Sequence, residues 1–321
     1  MQIKQTMPNL TPNPQESAVE NKFNIKDELL KILSSPDSAA SIKKMDNNGL
    51  LSQIFPEIIL MKKADNKFYY HPYGLFQHSF ETFESLEKIL KRLDKYFPKN
   101  FKDMRKHLEE KIDVSSNISK IVLLKLAALF HDNAKPETAK KINGKIRFIG
   151  HEQRGARKSK EILKPLALNK SEKYFVFKLI FNHMRPSTLT KNIIITKRAA
   201  NRFFRDIDPL VIEQVLLSIA DWHSYKRLKI HSSKELKRQQ DSAAKLIEDY
   251  FFLKNQKPII KIIDGHKIMK EFDLKPGPWI GGLLSIVAQK QRLGKINDEK
   301  SALALISSKL TQIKKKYKIT P

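Results

Sequence analysis

His131 and Asp132 stand side by side where an apolar run ends, in LAALFHDNAKPETAK, residues 126–140. An imidazole beside a carboxylate at the end of a buried helix has two readings: a polar helix terminus, or two adjacent ligands of a metal ion. Four more such residues sit on apolar helical stretches. They are His78 in GLFQHSFETF, His151 in GHEQRGARKSKEIL, His183 in KYFVFKLIFNHMRP and Asp221 in VLLSIADWHS. Each one alone is most simply a hydrogen-bonded core residue, because buried polar groups normally find partners. Five helices that each deliver a His or Asp are harder to dismiss, since bundles build metal sites by pointing such residues into a common cavity. Imidazole suits Mn, Fe, Co, Ni and Zn, and a carboxylate adds negative charge and can bridge two ions. Two ions roughly 3.5–4 Å apart activate water and hold a phosphate oxygen. Lys135, one helical turn beyond Asp132, is spaced to reach that phosphate. The chain has no cysteine, which excludes thiolate zinc sites, cysteine nucleophiles and disulfides. Any metal must therefore be held by His and carboxylate.

The elements that would carry these residues are nearly all helices. Hydrophobic residues make up 40% of the 321, enough for a real core, and the 10 glycines are too few for a loop-rich β protein. Residues 1–23 are polar with Pro8, Pro12 and Pro14, and read as a disordered arm. A helical segment follows over 24–68: IKDELLKILSS is amphipathic, and SAASIKKMDNNGLLSQIFPEI reads as a helix, a turn at Asn47–Gly49 and a second short helix. The main domain is expected over 69–254. SKIVLLKLAALFHD is apolar nearly all round and belongs at its centre. KINGKIRFIG, with Asn-Gly between short β-like runs, predicts a small hairpin insertion. Residues 255–321 form a helical arm with a basic tail, Lys309, Lys314, Lys315, Lys316 and Lys318. The expected fold class is all-α, a helical bundle with one β-hairpin insertion and a helical C-terminal arm.

Charge is the strongest global signal: 61 Lys+Arg against 34 Asp+Glu, a net of +27. Such a field attracts polyanions, nucleic acid first among them. Abundant lysine and asparagine are also what a low-GC genome produces, so the charge leaves both readings open. The most concentrated basic run, YKRLKIHSSKELKR, follows Asp221 and carries Lys226, Arg227, Lys229, Lys237 and Arg238 as candidate RNA contacts. No apolar run approaches the roughly 18 residues of a spanning helix, and no signal peptide is evident. The expectation is a cytoplasmic protein with no membrane partner.

The order His78, His131-Asp132, His151, His183, Asp221 resembles the HD-domain metal-dependent phosphohydrolases. HDNAKP is similar to that family's His-Asp-Ile-Gly-Lys-Pro form and departs from it at Asn133 and Ala134, which are not ligand positions. The resemblance implies that His78, His131, Asp132 and Asp221 hold one divalent metal. It implies that His151 and His183 hold a second, with Asp132 bridging. One or two ions are expected, drawn from Mn, Ni, Co, Fe, Zn and Mg. ELLKILSSPDSAASIKKMDNNGLLSQIFPEI and IDGHKIMKEFDLKPGPWIGGLLSIVAQKQRLGKI resemble the segments that flank the HD domain in bacterial tRNA nucleotidyltransferases, the CCA-adding enzymes. The likeness covers about residues 26–310; residues 1–24 are too few for the nucleotidyltransferase head of those enzymes, so the expectation is a chain that resembles their rear half. The one Asp-x-Asp, Asp206–Asp208, lacks a glycine-rich turn and reads as a helix end followed by the N-cap of the next helix.

Two functions follow. One is a metal-dependent phosphatase or phosphodiesterase acting on nucleotides or RNA ends, with Asp132 and Lys135 as catalytic residues. The alternative is an RNA- or tRNA-binding accessory protein with little or no catalysis, partnering a separate nucleotidyltransferase. Glu152 and Arg185, next to proposed ligands, are candidates to orient water and to meet a phosphate. Their bland readings are a first-turn acid and a C-terminal cation, both favoured by the helix dipole. His107, His223 and His231 lack partners of this pattern and read as surface or supporting residues, His266 as a helix cap or a solvent-facing residue, and His71, near His78, could line the cavity mouth.

Overall fold

The computed structural model describes residues 26–64, 74–191, 195–225, 231–255, 261–292 and 294–317. The chain divides into two compact units between Lys254 and Asn255. Among the described residues, regular structure is helical apart from one antiparallel hairpin and an isolated bridge between Lys111 and Ser119, an all-α architecture. No described helix is long and apolar enough to cross a membrane. The expected arm at 1–23 and His71 lie outside the described residues.

The first unit opens with α1 (26–34), α2 (Ser38–Asn47), α3 (Leu50–Ile54) and α4 (Glu57–Lys63). The second short helix expected here is two, because Pro56 supplies no N–H and starts a fresh helix as the residue before Glu57. Then follow α5 (Leu75–Lys91), α6 (Leu93–Tyr96), α7 (Phe101–Glu109), α8 (Lys120–Phe130) and α9 (Lys135–Thr138). The hairpin, β1 (Lys140–Ile142) and β2 (Lys145–Arg147), turns at Asn143–Gly144, both with positive φ. After it come α10 (His151–Ile162), α11 (Lys170–Asn182), α12 (Met184–Thr190), α13 (Lys197–Ile207), α14 (Val211–Ser224) and α15 (Ser233–Lys254).

Every residue of α8 from Val122 to Phe130 is buried, Lys125 among them, as a circumference that is apolar nearly all round requires. Helices α5, α11 and α14 pack around it, α10 lies along α11, and α15 lies along α14. Each of the candidate ligands therefore sits on, or at the end of, an element packed in this layer around α8. Two glycines set the local approach. Gly150 takes a left-handed φ of 79°, turning the chain from the hairpin into α10 so that His151 is its first residue. Gly155 lets α10 press against the turn after α8: a Cβ there would meet Asn133 Oδ1 at 3.3 Å and Ile180 at 3.5 Å.

The second unit has its own core, built from Ile268, Leu283, Val287, Ala302 and Ile306 among others. They come from α16 (Gly265–Phe272), α17 (Pro278–Arg292) and α18 (Glu299–Tyr317). The sequence KPGPWIGG spans the start of α17, where the Trp279 indole donates to the Lys275 carbonyl at 2.9 Å.

Candidate metal centre

Four imidazoles are held in the same way. Nδ1 of His131 bonds the carbonyl of Ala128 at 2.9 Å, Nδ1 of His151 that of Phe148 at 2.7 Å, and Nδ1 of His183 that of Ile180 at 2.7 Å. A carbonyl only accepts, so each Nδ1 carries the proton. His78 follows by a longer route. The Ser224 hydroxyl donates to the Asp221 carbonyl at 2.6 Å, which leaves its oxygen to accept from His78 Nδ1 at 3.1 Å. In the neutral rings Nε2 is then the lone-pair atom, and a partner on the far nitrogen that fixes the tautomer is the usual support of a metal-binding histidine.

All four Nε2 atoms turn toward Asp132, whose two oxygens face different pairs. Oδ2 lies 3.4 Å from His78 and 3.2 Å from His131; Oδ1 lies 3.4 Å from His151 and 3.6 Å from His183. Asp221 Oδ1 joins the first pair, 3.2 Å from His78 and 3.8 Å from His131. Lys135 Nζ reaches Asp132 Oδ2 at 2.5 Å. His78, His131 and Asp132 form one compact triad of possible ligands, and Asp132, His151 and His183 form another. All five of these residues are buried.

The electrostatics are those of a cation site. Burial would push the Asp132 carboxyl up, but His131 and Lys135, with hydrogen bonds from His131 and His151, hold it well below the usual range. The Asp221 carboxyl is likewise lowered against its burial, chiefly by His78. Burial pushes the His78 and His151 rings down, and neighbouring carboxylates outweigh it and leave both raised. The His183 ring is lowered by its burial, with the charge of His131 adding to that. Nε2 of His131 is buried, 3.2 Å from Asp132 Oδ2. Nε2 of His151 and Nε2 of His183 face each other at 3.2 Å; with both rings neutral these are two lone pairs that a shared cation would satisfy. The donor set, nitrogen and carboxylate oxygen without sulfur, fits a divalent transition ion.

The sequence that carries this arrangement is similar to known proteins. Residues 75–226 match the model of the HD domain, and residues 25–61 match that of the "Probable RNA and SrmB-binding site of polymerase A". The chain carries an HD domain. It is also homologous, at low identity, to tRNA nucleotidyltransferases. It is 24% identical over 291 residues to the CC-adding tRNA nucleotidyltransferase of Thermus thermophilus, which covers 90% of this chain. It is 25% identical over 286 residues to the A-adding tRNA nucleotidyltransferase of Deinococcus radiodurans, which covers 88%. The chain spans about 57% of the length of each of these relatives.

Divalent metal ions are the cofactor of an HD domain, and the His/Asp cluster could hold one. Asn133, a departure from the family's usual residue, ties the site together. Its amide donates to the Phe130 carbonyl at 2.7 Å and the Gly155 carbonyl at 3.2 Å, locking the His131–Asp132 turn to α10. Glu152 Oε2 lies 3.3 Å from His151 Nδ1. Arg185 pairs with Asp206 at 2.9 Å.

Several local expectations need correction. Asp208 is the C-cap of α13, and Leu210 is the N-cap of α14, because Pro209 separates the carboxylate from the first helical N–H groups. Asp208 instead accepts from the Tyr250 hydroxyl at 2.5 Å. His107, read as a surface or supporting residue, is half-buried and its Nε2 meets the fully buried Glu213 carboxylate at 2.7 Å, away from the proposed ligands. His231 stacks on Trp222 at 4.0 Å. Of the basic run, Lys226, Arg227 and Lys229 lie outside the described residues. Lys237 and Arg238 are exposed near the start of α15, with Lys237 paired to Asp241 at 2.6 Å.

Proposed function

We propose that the chain is a metal-dependent phosphohydrolase, a phosphatase or phosphodiesterase acting on nucleotides or RNA ends. The observation that carries this is the division of Asp132: one carboxylate turns its two oxygens to two separate pairs of histidine Nε2 atoms. His78, His131, Asp132 and Asp221 would hold one ion, and Asp132, His151 and His183 a second. Ions bound there would supply Lewis-acid activation of water and stabilise charge on the phosphoryl oxygens. The four Nδ1 bonds keep Nε2 aimed inward, so the ligand set needs little reordering to bind. Asp132, held ionised by its neighbours, keeps its negative charge at working pH. Lys135, paired to Asp132, would meet a substrate phosphate and the charge that builds on it.

A second reading is favoured by a different observation, the match of residues 25–61 to an RNA-binding segment. On it the chain binds RNA, tRNA in particular, and serves a separate nucleotidyltransferase. The names of the two relatives support tRNA as the nucleic acid. Elemental analysis of purified protein, then assays on p-nitrophenyl phosphate, bis-p-nitrophenyl phosphate and 2′,3′-cyclic nucleotides with Mn, Ni, Co and Mg, separate the readings. The enzyme reading expects metal-dependent turnover that Asp132→Ala abolishes with the fold retained. Metal-loaded protein that binds RNA and turns over none of these substrates would leave the second reading.

A further inference from the structure

One face of α11 carries a row of rings that core packing does not use up. Tyr174, Phe177 and Phe181 are spaced three and four residues apart, the spacing of neighbours on a helix surface. Their centroids are 6.1 and 5.9 Å apart and successive planes are within 10° and 22° of parallel. Tyr174 is 57% exposed and Phe181 38%. Cations sit over this row: Lys178 Nζ is 5.9 Å from the Tyr174 ring and Lys160 Nζ, from α10, 4.8 Å from the Phe177 ring.

The row does not end in open solvent. Phe181 also lines a cavity of about 680 Å³ shared with Met184, Arg185, Arg198 and Arg202, with Glu152 the lining carboxylate and Arg185 already paired to Asp206. That cavity flanks the second triad. Glu152 follows His151, and Asn182 and Met184, both in its wall, bracket His183.

We propose that Tyr174, Phe177 and Phe181 are a stacking platform for unpaired bases of an RNA strand. Lys160, Lys178 and the arginines of the cavity meet its phosphates, and the strand is led toward the metal centre. Rings interleaved with cations are the composition of single-strand binders, since every base has a face to stack and every nucleotide a charge. A duplex hides those faces. From Tyr174 to Phe181 the row takes seven helical steps, roughly 10 Å at 1.5 Å each, room for two or three bases. A purely apolar partner would bury Lys160, Lys178 and Arg198 without adding counter-charge, whereas Arg185 and Arg202 already have Asp206 beside them. The proposal rests on the hydrolytic reading only for where the strand leads; the binding itself is independent of it.

Anisotropy titrations of full-length protein in EDTA, with a fluorescein-labelled unstructured RNA of about twelve nucleotides and the matching duplex, test it. Tyr174→Ala and Phe181→Ala should each weaken single-strand binding ~5-fold or more, the loss seen when a stacking ring is removed. Duplex affinity should move by less than about twofold. Tyr174→Phe and Phe181→Trp, which keep a ring, should keep the affinity. Ring removal should leave the salt slope unchanged, and Arg198→Gln should reduce it by about 0.7, one phosphate contact. Unchanged single-strand affinity in both alanine variants, or equal losses on strand and duplex, would overturn the platform. Absence of hydrolysis with these binding changes intact removes the phosphohydrolase and leaves the platform standing; turnover with unaltered binding in the ring variants does the reverse.

Discussion

Lys125 and Glu87 meet at 2.7 Å in the middle of the helical core, their side chains 1% and 5% exposed. The pair joins the segment before the HD domain to the domain itself. Lys125 donates to the carbonyls of Leu33 and Ser35 at the end of α1, and Glu87 accepts from the backbone of Ser38 and Ala39 at the start of α2. One ammonium thus closes a helix C-terminus and one carboxylate opens the next helix.

Removing either partner leaves a buried charge facing unsatisfied backbone groups. Lys125→Met is expected to destabilise by about 3–5 kcal/mol, the usual cost of breaking a buried pair. Lys125→Met with Glu87→Gln should recover part of that, because no charge is stranded and the amide oxygen still accepts from Ser38, while the bond from Ala39, which goes to the other carboxylate oxygen, is lost. Urea denaturation of the four proteins measures it; additive losses would mean that the two residues are not coupled.

The site was more legible than its scaffold. His131 and Asp132 stand out because nine apolar-helix positions precede them, and the contrast in polarity is local. Lys125 sits in the same helix and carries the same kind of signal, a lysine among LLKLAAL, yet its partners come from 38 to 92 positions away. His107 and Glu213 are 106 apart, so their pairing exists only in the fold. The aromatic row on α11 was hidden for a different reason: in KYFVFKLIFN buried and exposed rings alternate too closely for hydropathy to tell which face is covered. Asn133 looked like a neutral departure because its task, bonding Gly155 across 22 positions, depends on how α10 docks.

The two triads predict two separable losses. His151→Ala and His183→Ala should bind about one ion fewer than the parent protein while His131 and Asp221 still hold the other. His131→Ala should lose the opposite ion. Metal-to-protein ratios after dialysis against buffered Mn read this out. Equal ratios in the parent and all three variants would mean a single-ion site.

Binding should release protons. Without metal, His78 and His151 are raised above the ordinary imidazole value by the carboxylates beside them. Binding needs Nε2 unprotonated, so affinity should be full above the raised values and fall as pH drops through them. Calorimetric titration at pH 6.5 in two buffers of different ionisation enthalpy should show net proton release to buffer. Release should shrink as pH is raised toward 8.5. Heats independent of buffer at pH 6.5 would show that neither imidazole is protonated in the metal-free protein.

Gly155 and Asn133 should couple in the opposite sense to an ordinary contact pair. A Cβ at Gly155 comes within 3.3 Å of Asn133 Oδ1, tighter than normal, and that amide is held from moving by its bonds to Phe130 and Gly155. Gly155→Ala gains up to about 1 kcal/mol of helix propensity, which offsets the crowding and should leave stability near the parent's. Gly155→Val adds branching and overpacks, and a loss of about 1–3 kcal/mol is expected. Because Asn133 is next to Asp132, the displaced turn should also lower metal affinity in Gly155→Val more than the stability loss alone would. Asn133→Ala removes the obstructing oxygen, so the valine should be better tolerated in that background. A double-mutant cycle read by urea denaturation and by metal affinity checks both statements. If the valine costs the same with and without Asn133, the close approach of α10 is not what positions the His131–Asp132 turn.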